Sequence, residues 1–450
     1  MRVTISKSNP AGNVSIPTSK SLTLRALFCA ALARGESQIQ HPLVCDDTNY
    51  AAAALVKLGV TIEDIEGVWH VTGGKFKIPS DEVNCGESAT TLRLLTGLVS
   101  LLPGTITLTG GPSLIQRPIR TLVDALRFLG IRGSVTGLMN PPVTIHGGTF
   151  TGGVTEVAGN ISSQYITSLM LIGSFAPVET IIRLTTPLTS RPYILMTLQV
   201  MRKFGISVKR QGNNFIIKRQ RYVPTTINIE ADWSSASYFL ALGTLSEEGV
   251  TLDNMSTSSR QGDRILLEHL RAMGANVQVM GNIITVKKGD DLKAIHTDVS
   301  DCIDLLPTLA VLAALAKGES EFRGIQPARL KESNRVKAIR EGLTKLGVQV
   351  GEFREYMTIK GMVTEKKNDD DSGTSETMLE NPEEFYADGK EKPAVVIDSY
   401  NDHRIAMAFA VMGAALGGIS ITHAECVSKT FPDFWKYFKN VGGEYTVDEQ

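Results

Sequence analysis

One phrase written six times along the chain limits its fold more than any other feature. The phrase is an apolar stripe of helical period ending in Gly, then an alternating strand, a turn and a second strand. The copies are "ALVKLGVTIEDIEGVWHVTGG", "ALRFLGIRGSV", "VMRKFGISVKRQGNNFIIK", "HLRAMGANVQVMGNIITVK", "GLTKLGVQVGEFREYMTIKG" and "YFKNVGGEYTV". Their glycines, Gly59, Gly130, Gly205, Gly274, Gly347 and Gly442, fall where a helix must end in a left-handed residue. "GNN" and "MGN" between the strands are hairpin chemistry. The copies stand about 70 residues apart, longer than a solenoid period, so they read as α+β subunits inside larger domains. Six copies divide into three and three.

The last interval is longer, about 95 residues, and the surplus is the stretch "TEKKNDDDSGTSETMLENPEEFYADGKEKP" at 364–393. It is acidic, poor in core residues and reads as a mobile surface insertion. A chain of 450 residues also exceeds what one hydrophobic core holds. "TTINIEADWSSASYFLALG" (225–243) starts a fresh strand-to-helix pattern between the third and fourth copies, which places a crossover near 230.

With 46 Lys and Arg against 47 Asp and Glu, the net charge of −1 gives no overall pull toward nucleic acid or acidic membranes. Any anion-binding role must therefore come from local clusters. The five cysteines (29, 45, 85, 302, 426) are odd in number, scattered and never in a CxxC pair. That argues against a disulfide framework or structural zinc and for a reducing cytoplasm. "MRVTISKSNPAGNVSI" alternates like a strand and lacks the apolar centre of a signal peptide, and no run reaches the roughly 18 apolar residues of a membrane span.

Cations collect at helix entries. "PTSKSLTLR" supplies Lys20, Ser21 and Arg25; "CGESATTLR" supplies Arg93; "SLIQRPIRTL" supplies Arg117; "GNISSQYITSL" supplies Ser162, Ser163 and Gln164. Later come Arg191, Lys331 and Arg335 in "LKESNR", Arg404 in "YNDHRIAM" and Lys429 in "SKTFPDF". Helix N-terminal amides, hydroxyls and Lys or Arg together make phosphate or carboxylate sites. Singly, each could be an ordinary N-cap or a solvated lysine. Arg93 among leucines and Arg404 before "IAMAFAVMGAAL" do not fit that plainer account, because a cation in an apolar helix needs a partner. The collective pattern favours one convergent anionic pocket.

Carboxylates lie among the cations: Asp232, Asp304, Glu332 and Asp402, the last beside His403. Asp304 before an apolar helix could be an N-cap, and Glu332 with Arg335 a helix-face ion pair. A cofactor-free enzyme moving protons would need such groups beside Lys or Arg. The chain has no GxxxxGK[ST], no GxGxxG opening a helix after a strand, no HExxH and no GxSxG. Chemistry without metal or nucleotide cofactor is the expectation.

"TSKSLTLRAL", "GESATTLRL", "QRPIRTLVDAL", "GNISSQYITSLM", "DWSSASYFLA", "LKESNR", "YNDHRIAMAFA" and "KTFPDF", in that order over essentially the whole chain, resemble the 5-enolpyruvylshikimate 3-phosphate synthases. The resemblance implies an α/β (α+β) fold of two inside-out barrels, each of three βαβαββ units. The first domain would be 19–229, and the second 1–18 with 230–450. It implies an open-to-closed motion and transfer of the enolpyruvyl group of phosphoenolpyruvate to the 5-hydroxyl of shikimate 3-phosphate, with release of phosphate. No cofactor, nucleic acid or membrane partner is implied; the expected partners are the two substrates, and the enzyme would be a cytoplasmic monomer.

By the same resemblance Lys20, Ser21 and Arg25 would grip both ligands. Ser162, Ser163, Gln164, Ser190, Asp304 and Lys331 would hold shikimate 3-phosphate; Arg93, Arg117, Gln164, Arg335, Arg404 and Lys429 would hold phosphoenolpyruvate. Asp304 would take the hydroxyl proton, with Lys20 or Glu332 as proton donor and His403 assisting. Two departures from the family pattern stand out. Ala89 replaces a Gly found in inhibitor-sensitive members, which implies insensitivity to glyphosate. In "GIQPARLKESNR", Pro327 and Ala328 are unusual and Asn334 replaces an Asp, so one orienting contact of Arg335 would be weakened. The related UDP-N-acetylglucosamine 1-carboxyvinyltransferases would show Asn after the lysine and a Cys in the loop before the arginine, where Ser21 and "GGPSLIQRPIR" stand. A silent anion-binding homologue would be expected to lose one of Lys20, Asp304, Glu332 or Arg404.

Overall fold

The computed structural model describes residues 1–362 and 393–448, so the stretch 364–393, save Pro393, lies outside the described residues. All six repeat glycines take a positive φ, between +82° and +99°. At each, the Gly N–H bonds the carbonyl three residues back and the next N–H bonds the carbonyl five back, as in Gly59 to Val56 and Val60 to Leu55, or Gly347 to Thr344 and Val348 to Leu343. These are six Schellman ends, and in five of them the residue after Gly is Val, Ile or Ala. The sequence thus stops each helix with a backbone geometry that a Cβ would strain, then turns it straight into a strand.

Among the described residues the strands form six four-stranded sheets with one shared plan. Val83–Asn84, Gly104–Thr109, Val143–Gly147 and Arg132–Val135, in that spatial order, make a parallel pair followed by two antiparallel pairings. The parallel pair is joined through the helix Ala89–Val99, the crossover that parallel strands require. The repeated α+β subunits read from the sequence thus each build a mixed sheet.

Three sheets take a strand from elsewhere in the chain. Gly12–Val14, which precedes the helix Lys20–Leu32, pairs in parallel with Val250–Leu252. Thr226–Asn228, which precedes the helix Trp233–Gly243, pairs in parallel with Gly35–Gln40. The first and fourth repeats thus exchange their opening strands. The N-terminal strand Arg2–Ser6 lies antiparallel between Ile419–Thr422 and Glu444–Asp448, and supplies the strand that the short sixth copy lacks.

The chain divides into two compact units. The N unit comprises Pro17–Asp232 and Ser258–Gly262; the C unit comprises Met1–Ile16, Trp233–Thr257 and the chain from Asp263 onward. The short segment Ser258–Gly262 belongs with the N unit although both its flanks belong to the other. Gln261 Nε2 anchors it, donating to Glu230 at 2.9 Å and to the Ala231 carbonyl at 2.8 Å.

In the N unit the helices Lys20–Leu32, Ala89–Val99 and Ser163–Gly173 are buried almost throughout. Trp233–Gly243, Leu306–Ala314 and His403–Leu416 play that part in the C unit. A helix apolar on all sides belongs inside, so these six have helices and sheets around them rather than solvent. Close packing leaves a signature at Gly97, where a Cβ would sit 2.4 Å from Ser168 Oγ; Ser168 instead donates to the Arg93 carbonyl at 2.6 Å. Arg25, Arg93 and Arg404 lie within these buried helices, which poses the question of what they serve.

Candidate active site

In the N unit, Lys20 opens its helix just after the extended N-cap Ser19. Its Nζ meets Asp47 Oδ2 at 2.8 Å, with Asp47 itself buried in the first turn of Asp46–Lys57. Sequence reasoning missed Asp47, because "CDDTNY" reads as the acidic first turn that any helix favours. Arg25 is 2% exposed and bonds only neutral groups: Thr197 Oγ1 at 2.9 Å, the Ser21 carbonyl at 2.8 Å and the Tyr193 carbonyl at 3.3 Å. Burial pulls this guanidinium down to about 10, against the opposing influence of Tyr193. A cation kept this dry beside dipoles alone is a standing cost, unless an anion shares the site.

Arg93 is buried as well, and Tyr165 lies beneath it at 5.0 Å. It donates to Gln164 Oε1 at 2.7 Å, Ser162 Oγ at 3.3 Å and the Pro118 carbonyl at 3.1 Å. Gln164 passes the contact on to Thr90 Oγ1 at 2.8 Å. Ser162 is the N-cap of Ser163–Gly173, its Oγ accepting from the Gln164 N–H. Arg117 is buried at the end of the one-turn helix Leu114–Gln116. Ser190 holds a left-handed φ of +53° as it caps Arg191–Lys203, a conformation that non-glycine residues keep only where their surroundings impose it. The N unit therefore gathers Lys20, Ser21, Arg25, Arg93, Ser162, Ser163 and Gln164 at helix N-termini, with Ala89 buried at the first position of the Arg93 helix.

The C unit is built around Arg335, which is 1% exposed. Its Nε and one terminal nitrogen grip Asp402 at 2.8 and 3.2 Å, the other terminal nitrogen meets Asp304 at 2.7 Å, and Glu332 lies at 2.6 Å. Burial alone would lower the Arg335 pKa; Asp402, Glu332 and Asp304 more than reverse that and raise it further above its ordinary value. Four of its five N–H donors are committed to carboxylates. The guanidinium expected to bind phosphoenolpyruvate thus also holds three acids in place.

Asp304 is not a helix cap: the N-cap position of Leu306–Ala314 is Leu305, and no side chain bonds there. Instead Asp304 faces Lys331 at 3.2 Å and Arg404 at 3.3 Å as well as Arg335. Asp402 is fully buried and caps His403–Leu416 by accepting from the Arg404 N–H at 3.0 Å; it also accepts from Ser333 Oγ at 3.0 Å. Asn334 departs from expectation. It is the N-cap of Arg335–Lys345, accepting from the Lys337 N–H at 3.2 Å, so it secures the helix and leaves the orientation of Arg335 to the carboxylates.

His403 is buried beside Asp402, its Nδ1 3.9 Å from the carboxylate. Lys429 is 6% exposed, and its Nζ has no hydrogen-bond partner among the described residues. An ammonium buried in that way awaits an anion. Nearby, burial pushes the Tyr238 hydroxyl up to about 12, with Arg404 pulling the other way. The five cysteines are buried free thiols, that of Cys45 pushed up to about 11 by burial.

Buried cations and carboxylates thus stand together within each unit: Lys20 with Asp47 in the N unit, and Lys331, Arg335 and Arg404 with Asp304, Glu332 and Asp402 in the C unit. The arrangement can bind multiply charged anions in dry surroundings and offers carboxylates that can exchange protons with a bound molecule.

A family profile described as EPSP synthase (3-phosphoshikimate 1-carboxyvinyltransferase) matches residues 6–438. The chain is 40% identical over 452 aligned residues to a 3-phosphoshikimate 1-carboxyvinyltransferase of Dehalococcoides mccartyi, covering all of both chains. It is 37% identical to the one from Methanospirillum hungatei, with 98% of each covered. Among solved structures, an EPSP synthase from Acinetobacter baumannii superposes with a TM-score of 0.76 at 28% identity, over 99% of this chain and 100% of that one.

Proposed function

We propose, from the premise that this chain belongs to the EPSP synthase (3-phosphoshikimate 1-carboxyvinyltransferase) family, a division of labour among the residues just described. The chain is a transferase that moves the enolpyruvyl group of phosphoenolpyruvate to shikimate 3-phosphate in the route to the aromatic amino acids. Its two substrates are small polyanions, which gives the buried cations their purpose.

In this assignment the proton chemistry falls to Asp304, Glu332, Lys20 and His403. Protonation of the phosphoenolpyruvate methylene makes the neighbouring carbon electrophilic. The 5-hydroxyl attacks that carbon and gives up its proton, and loss of a methyl proton then expels phosphate from the tetrahedral adduct. Asp304 receives the hydroxyl proton. Substrate anions draw Lys331 and Arg404 toward themselves, which frees a carboxylate oxygen of Asp304 for the hydroxyl, while Arg335 keeps the acid in place. Glu332 or Lys20 supplies the proton to the methylene, with His403 assisting.

Lys20, Ser21, Arg25, Ser162, Ser163, Gln164, Ser190, Asp304 and Lys331 hold shikimate 3-phosphate; Lys20, Arg93, Arg117, Gln164, Arg335, Arg404 and Lys429 hold phosphoenolpyruvate. Each charge-assisted contact contributes roughly 1.5–3 kcal/mol. The enzyme acts as a cytoplasmic monomer, a state that light scattering on the purified protein tests. The buried methyl of Ala89 leaves little room for an inhibitor longer than phosphoenolpyruvate, so glyphosate inhibition should be weak; micromolar competitive inhibition would contradict this.

The observation that carries the assignment is the buried Lys429 ammonium, without a hydrogen-bond partner among the described residues, together with Arg25, whose hydrogen bonds among those residues go to neutral groups. Phosphate release measured with both substrates tests it. Release should require both, and Asp304→Asn and Glu332→Gln should each lose at least about a hundredfold in kcat. Near-normal turnover in both variants overturns the assigned roles.

A further inference from the structure

The segment Lys331–Asn334, which carries Lys331 and Glu332, joins the one-turn helix Gln326–Leu330 to the helix Arg335–Lys345. Both flanks of this short loop are tied to one carboxylate outside the reaction centre. Arg329, next to last in the one-turn helix, reaches across to Glu352 Oε1 with one terminal nitrogen, and to the Phe353 carbonyl at 2.6 Å with the other. Arg340, in the middle of the following helix, donates from Nε to Glu352 Oε2 at 2.8 Å. Each oxygen of Glu352 therefore serves one side of the loop.

Glu352 ends the edge strand Gln349–Glu352, whose partner strand Tyr356–Lys360 lies inside the sheet. The turn between them is stiffened by Phe353 stacked on Tyr356, ring centroids 4.4 Å apart. The anchor is thus a sheet and not another loop. Ala328 is fully buried, and Pro327 is the second residue of the one-turn helix, in its first turn, where a missing N–H costs nothing. All three charged groups are only partly exposed, Glu352 at 23% and Arg329 at 25%. Burial would raise the Glu352 carboxyl, but Arg329 and Arg340 outweigh that and hold it below the ordinary carboxylate range, so it is an anion under assay conditions.

We propose that Glu352, with Arg329 and Arg340, is a positioning clamp that fixes the Lys331–Glu332 loop in its working geometry. None of the three need touch substrate. Their effect passes through the two ends of a loop whose displacement by an ångström would move both a substrate-binding ammonium and a proton-transfer carboxylate. The proposal rests on the assignment of Lys331 and Glu332 to the reaction.

The test measures kcat and both KM values in the full-length protein for Glu352→Gln, Arg329→Gln and Arg340→Gln. Lys331→Met and Glu332→Gln run alongside, and thermal melts report the folded fraction. Glu352→Gln should lower kcat about tenfold and raise the KM for shikimate 3-phosphate at least threefold, leaving the KM for phosphoenolpyruvate within about twofold. A role in folding alone would scale apparent kcat with the folded fraction and leave both KM values unchanged. Arg329→Gln should reproduce the same split, which keeps the proposal open to refutation should Glu352→Gln fold poorly. Adding Arg329→Gln to Glu352→Gln should cost less than twofold more, because the charged tie of Arg329 is already lost in Glu352→Gln. Wild-type kinetics in Glu352→Gln and Arg329→Gln, with Lys331→Met and Glu332→Gln inactive, overturn the clamp and leave the site assignment standing. Full activity in Lys331→Met and Glu332→Gln overturns the assignment itself.

Discussion

Replacing Arg335 by Met removes the cation at the centre of three carboxylates while keeping a similar length of apolar side chain. Asp402, fully buried, loses two charge-assisted bonds and keeps the Ser333 hydroxyl and the Arg404 amide. Asp304 retains Lys331 and Arg404. Breaking a buried ion pair from one side costs about 3–5 kcal/mol, which for a unit of this size lowers the melting temperature by roughly 6–20 °C. The pH dependence carries the sharper signal. In the wild type the raised Arg335 pKa means that its contribution is present in full at every pH below the guanidinium range, and so is flat between pH 5.5 and 8.5. In the variant the stranded acids should titrate above their unfolded values. Stability that survives at low pH, where they can be protonated, is then lost as pH rises. Urea denaturation at pH 5.5 and 8.5 reads the difference, and the deficit of Arg335→Met should be larger at pH 8.5 by about 1.4 kcal/mol for each pH unit by which a stranded carboxyl titrates above 5.5. A deficit below about 1 kcal/mol at both pH values would refute Arg335 as the organising charge.

Lys429→Met should leave stability unchanged or raise it by up to about 2 kcal/mol, since it removes a buried ammonium without a hydrogen-bond partner among the described residues, and yet raise the KM for phosphoenolpyruvate at least tenfold; denaturation and initial rates check both arms. Arg25→Met should show the same opposition for shikimate 3-phosphate. Because the folded pKa of Arg25 is lowered to about 10, wild-type stability relative to that variant should rise as pH climbs through 10, and a fall would contradict the burial argument. Gly97→Ala should destabilise by about 1–3 kcal/mol, because the new methyl meets Ser168 Oγ, and pairing it with Ser168→Ala should recover part of the loss in a thermal melt. Ala89→Gly should increase glyphosate sensitivity with little change in melting temperature.

What the sequence makes legible is local. The six helix ends can be read because Gly at a C′ position, followed in five of them by an apolar residue, is a short-range signal, and all six adopt the motif it implies. The exchanged strands Gly12–Val14 and Thr226–Asn228 leave no such trace, since their pairing partners lie some two hundred residues away and a three-residue strand carries almost no pattern of its own. The site divides along the same line. Lys20, Arg93, Lys331 and Arg404 stand out as cations in apolar or helix-entry surroundings. Asp47 does not, nor does the double grip of Asp402 on Arg335, because each contact joins residues distant in sequence that look ordinary at home. Asn334 misleads for a related reason: a side chain next to Arg335 in sequence turns away from it to cap the helix.

The account turns on proton transfer at the phosphoenolpyruvate methylene, carried by the carboxylates that Arg335 organises. Turnover in deuterium oxide, with the product examined by mass spectrometry and proton NMR, reports on that step. Addition makes a freely rotating methyl group from which any of three hydrogens can leave, so the product methylene should carry deuterium, and Glu332→Gln should slow its appearance together with phosphate release. Phosphate released at the wild-type rate into a product whose methylene holds no deuterium would contradict the account.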